Sequence, residues 1–282
     1  MNKKAIENHK KLGDTNSEIR EGCLDILWEL VESGELSNSV LIDTGNELVE
    51  NLSYGLGEKD TDSVFLRTYS ALIAGVIVSQ DEIRRLQRGN ELEPFLTYER
   101  FRDWYEACKK YVLDEKDYRG YVRGKGWAHL ISHGGDLLRD FAFHSFTRGE
   151  DHLDILEILS AQLTENREEI YVNNDDNRLA RVVVTIMLRG ELEFPTYESW
   201  LNDLLARFEG KHWLDFSENR GKAIAWFNTT TFLRALYFVL LNGVKNLKDI
   251  DFYEKTPLLN EEVKGLILRT LRRMDNGLNY RK

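Results

Sequence analysis

The chain has 282 residues, 42% of them apolar and 11% aromatic, which is enough for a sizeable buried core in one large domain or two small ones. Its formal net charge of −10 opposes the long-range attraction that nonspecific nucleic-acid binding depends on, so no nucleic-acid partner is expected. The longest apolar runs, 71–79 and 232–242, fall short of the about 20 residues that a membrane span needs, and the basic N-terminus lacks the apolar stretch of a secretory signal. A cytoplasmic protein without a membrane partner is therefore the expectation.

Cys23 and Cys108 lie far apart among apolar helical neighbours, which suggests buried thiols and neither a disulfide framework nor a cysteine metal site. Residues 1–14 are polar and are expected to fray, as is the tail 279–282. Only three prolines occur, Pro94, Pro195 and Pro257, and the stretches between them carry helical apolar spacing far more often than strict alternation, which predicts an all-α fold. Leu24, Ile26, Leu27, Leu30 and Val31 mark one amphipathic helix, and Val40, Leu41, Leu48, Val49 and Leu52 mark the next. Further on, Phe101, Trp104, Tyr105, Cys108, Tyr111 and Val112 recur at threes and fours, as do Leu153, Ile155, Leu156, Ile158, Leu159 and Leu163, each a core stripe. Asn38 or Ser39, Thr97 and Thr196 are expected N-caps, and Gly149, Gly190 and Gly210 expected helix terminators.

Superimposed on these helices is a repeat. E-K-D occurs at Glu58-Lys59-Asp60 and again at Glu115-Lys116-Asp117, a period of 57 residues, and each copy links an amphipathic helix to a more apolar one. A third copy runs from Asn173 to Leu188, and a fourth, less regular, from Ser217 to Leu241. Helix pairs recurring at this interval predict stacked helical hairpins, an α-solenoid-like (HEAT-like) arrangement in which each pair buries its apolar faces on its neighbours. With no long Gly/Ser or proline linker, a single continuous domain over 15–278 is expected. Arg67, Arg178, Arg181 and Arg220 open the apolar helices of their repeats and, with Arg119, would line one surface as inter-repeat ion pairs or as a ligand groove.

Chemistry concentrates between Asp117 and Asp136, D-Y-R-G-Y-V-R-G-K-G-W-A-H-L-I-S-H-G-G-D. His129, His133 and Asp136 stand at i, i+4 and i+7, and on a helix they fall within about 60° of one another. Two imidazoles and a carboxylate on one face are a candidate divalent metal site for zinc, manganese or iron, with Asp117, Asp175 or Asp176 as a fourth ligand. The bland reading is that these groups satisfy one another across a helix contact. Arg119, Arg123 and Lys125, interleaved with Gly120, Gly124 and Gly126, offer cations near a helix start, where a phosphate or carboxylate binds readily; the alternative is that Arg119 pairs with Asp117 and Asp114 while the others are solvated. His9, His144, His152 and His212 are read as exposed or core histidines, and Trp104, Trp127, Trp213 and Trp226 as core or groove-wall aromatics.

Glu115, Asp117, Arg119, Gly120, the run Lys125 to His129, and His133, Gly134, Asp136, Leu137 and Leu138 together resemble the uncharacterised bacterial family catalogued as domain of unknown function 2785. Asp175, Arg178, Leu179 and Ala180 resemble a later step of the same family. The resemblance implies that the histidine face is a site but carries no activity with it. Three functions follow. The first is a binding module for a small, anionic ligand or a partner segment, built from Asp117, Arg119, Lys125, Trp127, His129, His133, Asp136 and Arg178. The second is a metal-dependent hydrolase in which His129, His133 and Asp136 hold the ion and Arg119 or Lys125 steadies developing charge. The third is a scaffold for protein–protein contact whose motif only fixes helix packing.

Overall fold

A computed structural model describes residues 9–87, 92–165, 168–208, 211, 213–216, 218–243 and 257–274. The expectations for Gly210, His212 and Ser217, for the side chain of Trp213, for residues 1–8 and for the tail 279–282 lie outside these, while the rest of the segment expected to fray, 9–14, is described and buries His9 and Leu12. The described chain is mostly helical and falls into two compact units, one ending at Thr147 and the other beginning at Arg148.

In the first unit α1 (Ser17–Glu32), α2 (Asn38–Asn51), α3 (Ser63–Leu86), α4 (Tyr98–Asp114) and α5 (Leu130–Phe143) are joined by a two-stranded ribbon, β1 (Tyr121–Val122) and β2 (Gly126–Trp127). α3 is the central helix and packs against α1, α2 and α5. The reason is compositional. Its F-L-R-T-Y-S-A-L-I-A-G-V-I-V run is apolar around most of its circumference, so it is stable only when enclosed. It crosses α5 closely at Gly75, where an added Cβ would lie 2.8 Å from Asp140 Oδ2 and 3.3 Å from the Leu137 Cα.

The second unit repeats the theme. α6 (Gly149–Thr164), α7 (Asp175–Arg189), α8 (Phe194–Ala206), a 3₁₀ turn at Trp213–Phe216 and α10 (Pro257–Met274) accompany a long α9 (Arg220–Asn242), which packs against α6, α7 and α10. In each unit a buried polar side chain of the long helix holds the backbone of a loop, the one just before the helix in the first unit and the one between α6 and α7 in the second. Arg67 on α3 donates to the carbonyls of Tyr54 and Gly55. Asn228 on α9 accepts the Tyr171 N–H and donates to the Glu169 carbonyl.

By length and composition α3 and α9 would each pass for a membrane span, although no single apolar run predicts it; 83% and 61% of their apolar windows are buried inside the fold. Their apolarity thus has a use in the core, and it does not establish a location.

Several boundaries differ from the sequence reading. The N-cap of α2 is Ser37, whose side chain accepts from Val40 N. α8 starts before Thr196, at Phe194, because Pro195 suits the first helical turn. Gly149 opens α6 where a terminator was expected. Thr97 caps α4, and Gly190 closes α7 at φ +69°.

Candidate functional site

The motif residues 115–136 span the end of α4, the ribbon and the start of α5. Glu115 follows α4, and its carboxylate is wholly buried against Arg67, with Nε to Oε2 at 2.5 Å and Nη2 to Oε1 at 3.0 Å. Oε1 also accepts the N–H groups of Lys116 and Asp117. Arg67 completes its own set with Ser63 Oγ and the carbonyls of Tyr54 and Gly55. A buried ion pair of this kind tolerates burial only because its remaining donors and acceptors are met as well.

Asp117 is likewise spent. Its Oδ1 accepts Arg119 Nε at 2.7 Å, and its Oδ2 accepts Arg119 Nη2 at 2.5 Å and the backbone N–H of Asp60 at 3.1 Å. Arg119 Nη2 also reaches the Thr61 carbonyl at 2.6 Å, and Lys125 Nζ grips both oxygens of Asp62 at 2.6 and 2.7 Å. The hydrogen bonds to Asp117 raise the pKa of the Arg119 guanidinium further, against its partial burial. Thus Asp117, Arg119 and Lys125 face Asp60, Thr61 and Asp62, and the second E-K-D segment docks on the first. Asp114, the other partner expected for Arg119, pairs with Lys110.

The glycines make a hairpin. Gly124 and Gly126 take φ of +79° and +84°, Tyr121 pairs with Trp127, and Val122 with Gly126. A side chain at Gly126 would meet Ser17 Cβ at 2.8 Å and Arg20 Nη2 at 3.0 Å. Arg20, wholly buried, binds the hairpin from behind. It donates to the carbonyls of Asp14 at 2.5 Å and Lys125 at 2.6 Å and lies over the rings of Phe65 and Tyr69.

His129 is not inside the helix with His133, although its carbonyl accepts the His133 N–H at 2.9 Å. It is the N-cap of α5 and sits in the left-handed region at φ +59°, a conformation strained for any side chain. Among the described residues the other non-glycine positions with positive φ are Asp60 and Asn174, which shortly precede α3 and α7. His129 stacks on Trp127, with centroids 4.6 Å apart and planes 11° from parallel, and tilts over His133 at 5.1 Å. Tyr121, 61% exposed, meets the other side of Trp127 edge-on.

His133 is buried, with Nδ1 3.2 Å from the Thr68 carbonyl. A carbonyl only accepts, so Nδ1 is the donor in this contact. Its ring packs edge-on against Tyr69, whose hydroxyl bonds to Glu21. Burial, reinforced by that carboxylate, pushes the Tyr69 pKa well above the usual phenol range.

Asp136 is buried and accepts from Arg139 Nη1 at 2.9 Å. The expected triad therefore comes together as two imidazoles with the carboxylate engaged by an arginine. Among the described residues no three His, Cys, Asp or Glu side chains form a group that could hold a metal ion. The remaining candidate, Arg178, lies in the first turn of α7 in the second unit, where its N–H bonds to the Asn174 carbonyl. Asp175 and Asp176 open the same helix, and burial raises the Asp176 pKa.

Sequence reasoning missed Arg20, Glu21 and Tyr69, which are held to the motif only by the tertiary fold. It also passed over a cluster at the far end of α3. There the wholly buried Asp81 accepts from the backbone N–H groups of Phe95 and Leu96, from Arg85 and from His144. His144 receives the Phe146 N–H on Nδ1, so its proton is on Nε2, toward Asp81. A depression of about 420 Å³ lies between α2 and α4, lined by Asn46, Glu50, Glu99, Arg100, Asp103 and Trp104 among others, and includes no motif residue.

Fold and site define a mostly helical protein of the all-α class whose signature segment is an interlocked loop pair. The chain belongs to the family described as protein of unknown function (DUF2785), which matches residues 52–238. Neither the curated proteins nor the solved structures gave a match.

Proposed function

We propose that the chain is a scaffold of stacked helical hairpins, HEAT-like in its repeat, whose motif is a clasp between successive helix pairs and whose surface serves contact with another protein. One observation carries this reading. The charged residues Glu115, Asp117, Arg119 and Lys125 are each bound to α3 or to the loop just before it, at Arg67, Asp60, Thr61 and Asp62. Cations already neutralised in this way are poorly placed to attract an anionic ligand. Asp117→Ala should then lower the unfolding free energy by about 1–3 kcal/mol, because the Asp60 N–H and the Arg119 fork lose their acceptor. Wild-type stability in Asp117→Ala, together with a phosphate-induced thermal shift that Arg119→Ala abolishes, would favour the anion-binding module.

A second reading, a small planar ligand on Trp127 and His129, is favoured by the left-handed backbone of His129, since strain of this kind concentrates at functional positions. Both side chains are half-buried, so part of each ring is open to solvent. The metal-dependent hydrolase would rest on His129 and His133 with a third ligand other than Asp136. Elemental analysis of the wild type beside His129→Ala/His133→Ala tests it, and the scaffold reading expects no metal that is lost with the pair.

A further inference from the structure

α3 buries two arginines and treats them differently. Arg67, wholly buried, has every nitrogen bonded: Nε and Nη2 to Glu115, Nη1 to Ser63 and two carbonyls. Arg84, in the last turn of the same helix, is 3% exposed, and its hydrogen bonds among the described residues run from Nη1, to Asn38 Oδ1 at 2.8 Å and the Glu93 carbonyl at 3.4 Å. Its Nε and Nη2 have no hydrogen-bond partner among the described residues. The guanidinium lies 5.1 Å from the centroid of the Phe95 ring.

Among the described residues no neighbouring carboxylate fills the gap. Asp81, one turn back, commits Oδ1 to Phe95 N and Leu96 N, and Oδ2 to Arg85 and His144. Glu82 gives Oε2 to the Ser145 N–H, and its Oε1 makes no bond to Arg84 or to any other group.

The two unused nitrogens are not an arbitrary pair. Nε–H and one Nη2–H point the same way in the guanidinium plane and form the edge that takes two oxygens of a carboxylate or phosphate in parallel. Buried N–H groups left without acceptors are costly, and a purely structural arginine on this helix, Arg67, has none. We propose that the Nε/Nη2 edge of Arg84 is a binding site for a small oxyanion, a carboxylate or phosphate group, held beside Asn38 and Phe95 at the end of α3. The low-dielectric surroundings strengthen such a charge-assisted pair relative to one at the surface. Burial lowers the pKa of the Arg84 guanidinium, with only the charge of Asp81 opposing it, and an arriving anion acts in the same direction as Asp81. Because so little of Arg84 is accessible, the anion reaches it through a local opening of the helix end, where stability is lowest.

The test is a titration of the full chain with acetate and, separately, inorganic phosphate, following the Arg84 Nε–H resonance, assigned by its loss in Arg84→Lys. The site predicts a saturable shift of that resonance and a melting temperature that climbs with the logarithm of anion concentration. Acetate acting alone identifies a carboxylate ligand, and phosphate acting alone a phosphoryl ligand. Arg84→Lys, which offers a point charge in place of a fork, should weaken the apparent affinity about tenfold, while Arg119→Gln leaves it unchanged. An Nε–H resonance that neither anion moves would overturn the proposal, whatever the stability of the variant. So would a thermal shift that persists undiminished in Arg84→Lys.

Discussion

At the N-terminal end of α3, Arg67 is wholly buried and each of its nitrogens is bonded, whereas at the C-terminal end Arg84 is almost as deeply buried and two of its three nitrogens have no hydrogen-bond partner among the described residues. Helix, burial and residue type are shared, so the difference lies in what the rest of the chain brings to each. The N-terminal end receives Glu115 from the segment after α4, and with it Asp117, Arg119 and Lys125 close on the loop that leads into the helix. The C-terminal end receives His144 and the backbone of Phe95 and Leu96, all of which go to Asp81. The first end is a completed joint, and the second has donors in hand.

The largest expected effect breaks the completed joint. Glu115→Ala strands the buried Arg67 charge and should cost about 3–5 kcal/mol in urea unfolding, whereas replacing both partners by apolar residues of similar volume should recover most of that loss. The same truncation at the other end should be mild. Arg84→Met removes the unpaired N–H groups along with the bond to Asn38, and its stability should stay within about 1.5 kcal/mol of wild type. Equal losses in Glu115→Ala and Arg84→Met would erase the contrast.

A pH series sharpens it. Burial alone would raise the Asp81 pKa, but hydrogen bonds from His144, from the backbone of Leu96 and Phe95, and from Arg85 together outweigh it and hold the carboxyl below its ordinary value. The unfolded chain therefore binds the proton first, at about pH 4. Stability from Asp81 is present above that pH and is lost as the pH falls through the folded-state pKa. Asp81→Asn should be less stable at neutral pH and show a shallower decline on the acid side. An acid-side slope equal to that of wild type contradicts the assignment.

The smallest effect belongs to His129. Glycine relieves the left-handed strain while losing the stack on Trp127, so His129→Gly should lie within about 1 kcal/mol of wild type and His129→Ala below it. If His129→Ala is the more stable of the two, the backbone strain is not what the residue bears.

The helices were legible because burial is written in threes and fours. Cys23, Leu24, Leu27 and Val31 on α1 and Phe101, Trp104, Tyr105, Cys108, Tyr111 and Val112 on α4 are buried as their spacing predicts. The chemically dense segment was legible too, and so were the E-K-D repeat and the pairing of Arg119 with Asp117. What spacing could not convey was conformation at single residues. His129 was placed on a helix because His133 and Asp136 fit the same face, but the left-handed turn at His129 starts the helix one residue later. The ribbon was hidden in the same way, although Tyr-Val before Gly124 and Gly-Trp after it carry a hairpin signal in retrospect. Arg20 and Tyr69 lie 105 and 58 residues from the motif residues they bond, Lys125 and Trp127, with Glu21 joined through Tyr69, and Arg84 sits in an ordinary E-I-R-R-L helix end. Nothing in local sequence separates such an arginine from one in solvent.

The most direct test of the clasp is native-state hydrogen exchange at the Asp60 amide, which donates to Asp117 Oδ2 across 57 residues of sequence. A locked joint predicts an amide in this loop that exchanges only through the larger opening of the first unit in the wild type and loses that protection selectively in Asp117→Ala. Exchange at the rate of an open loop in the wild type would mean that the two E-K-D segments do not hold each other, and the scaffold reading would lose its support.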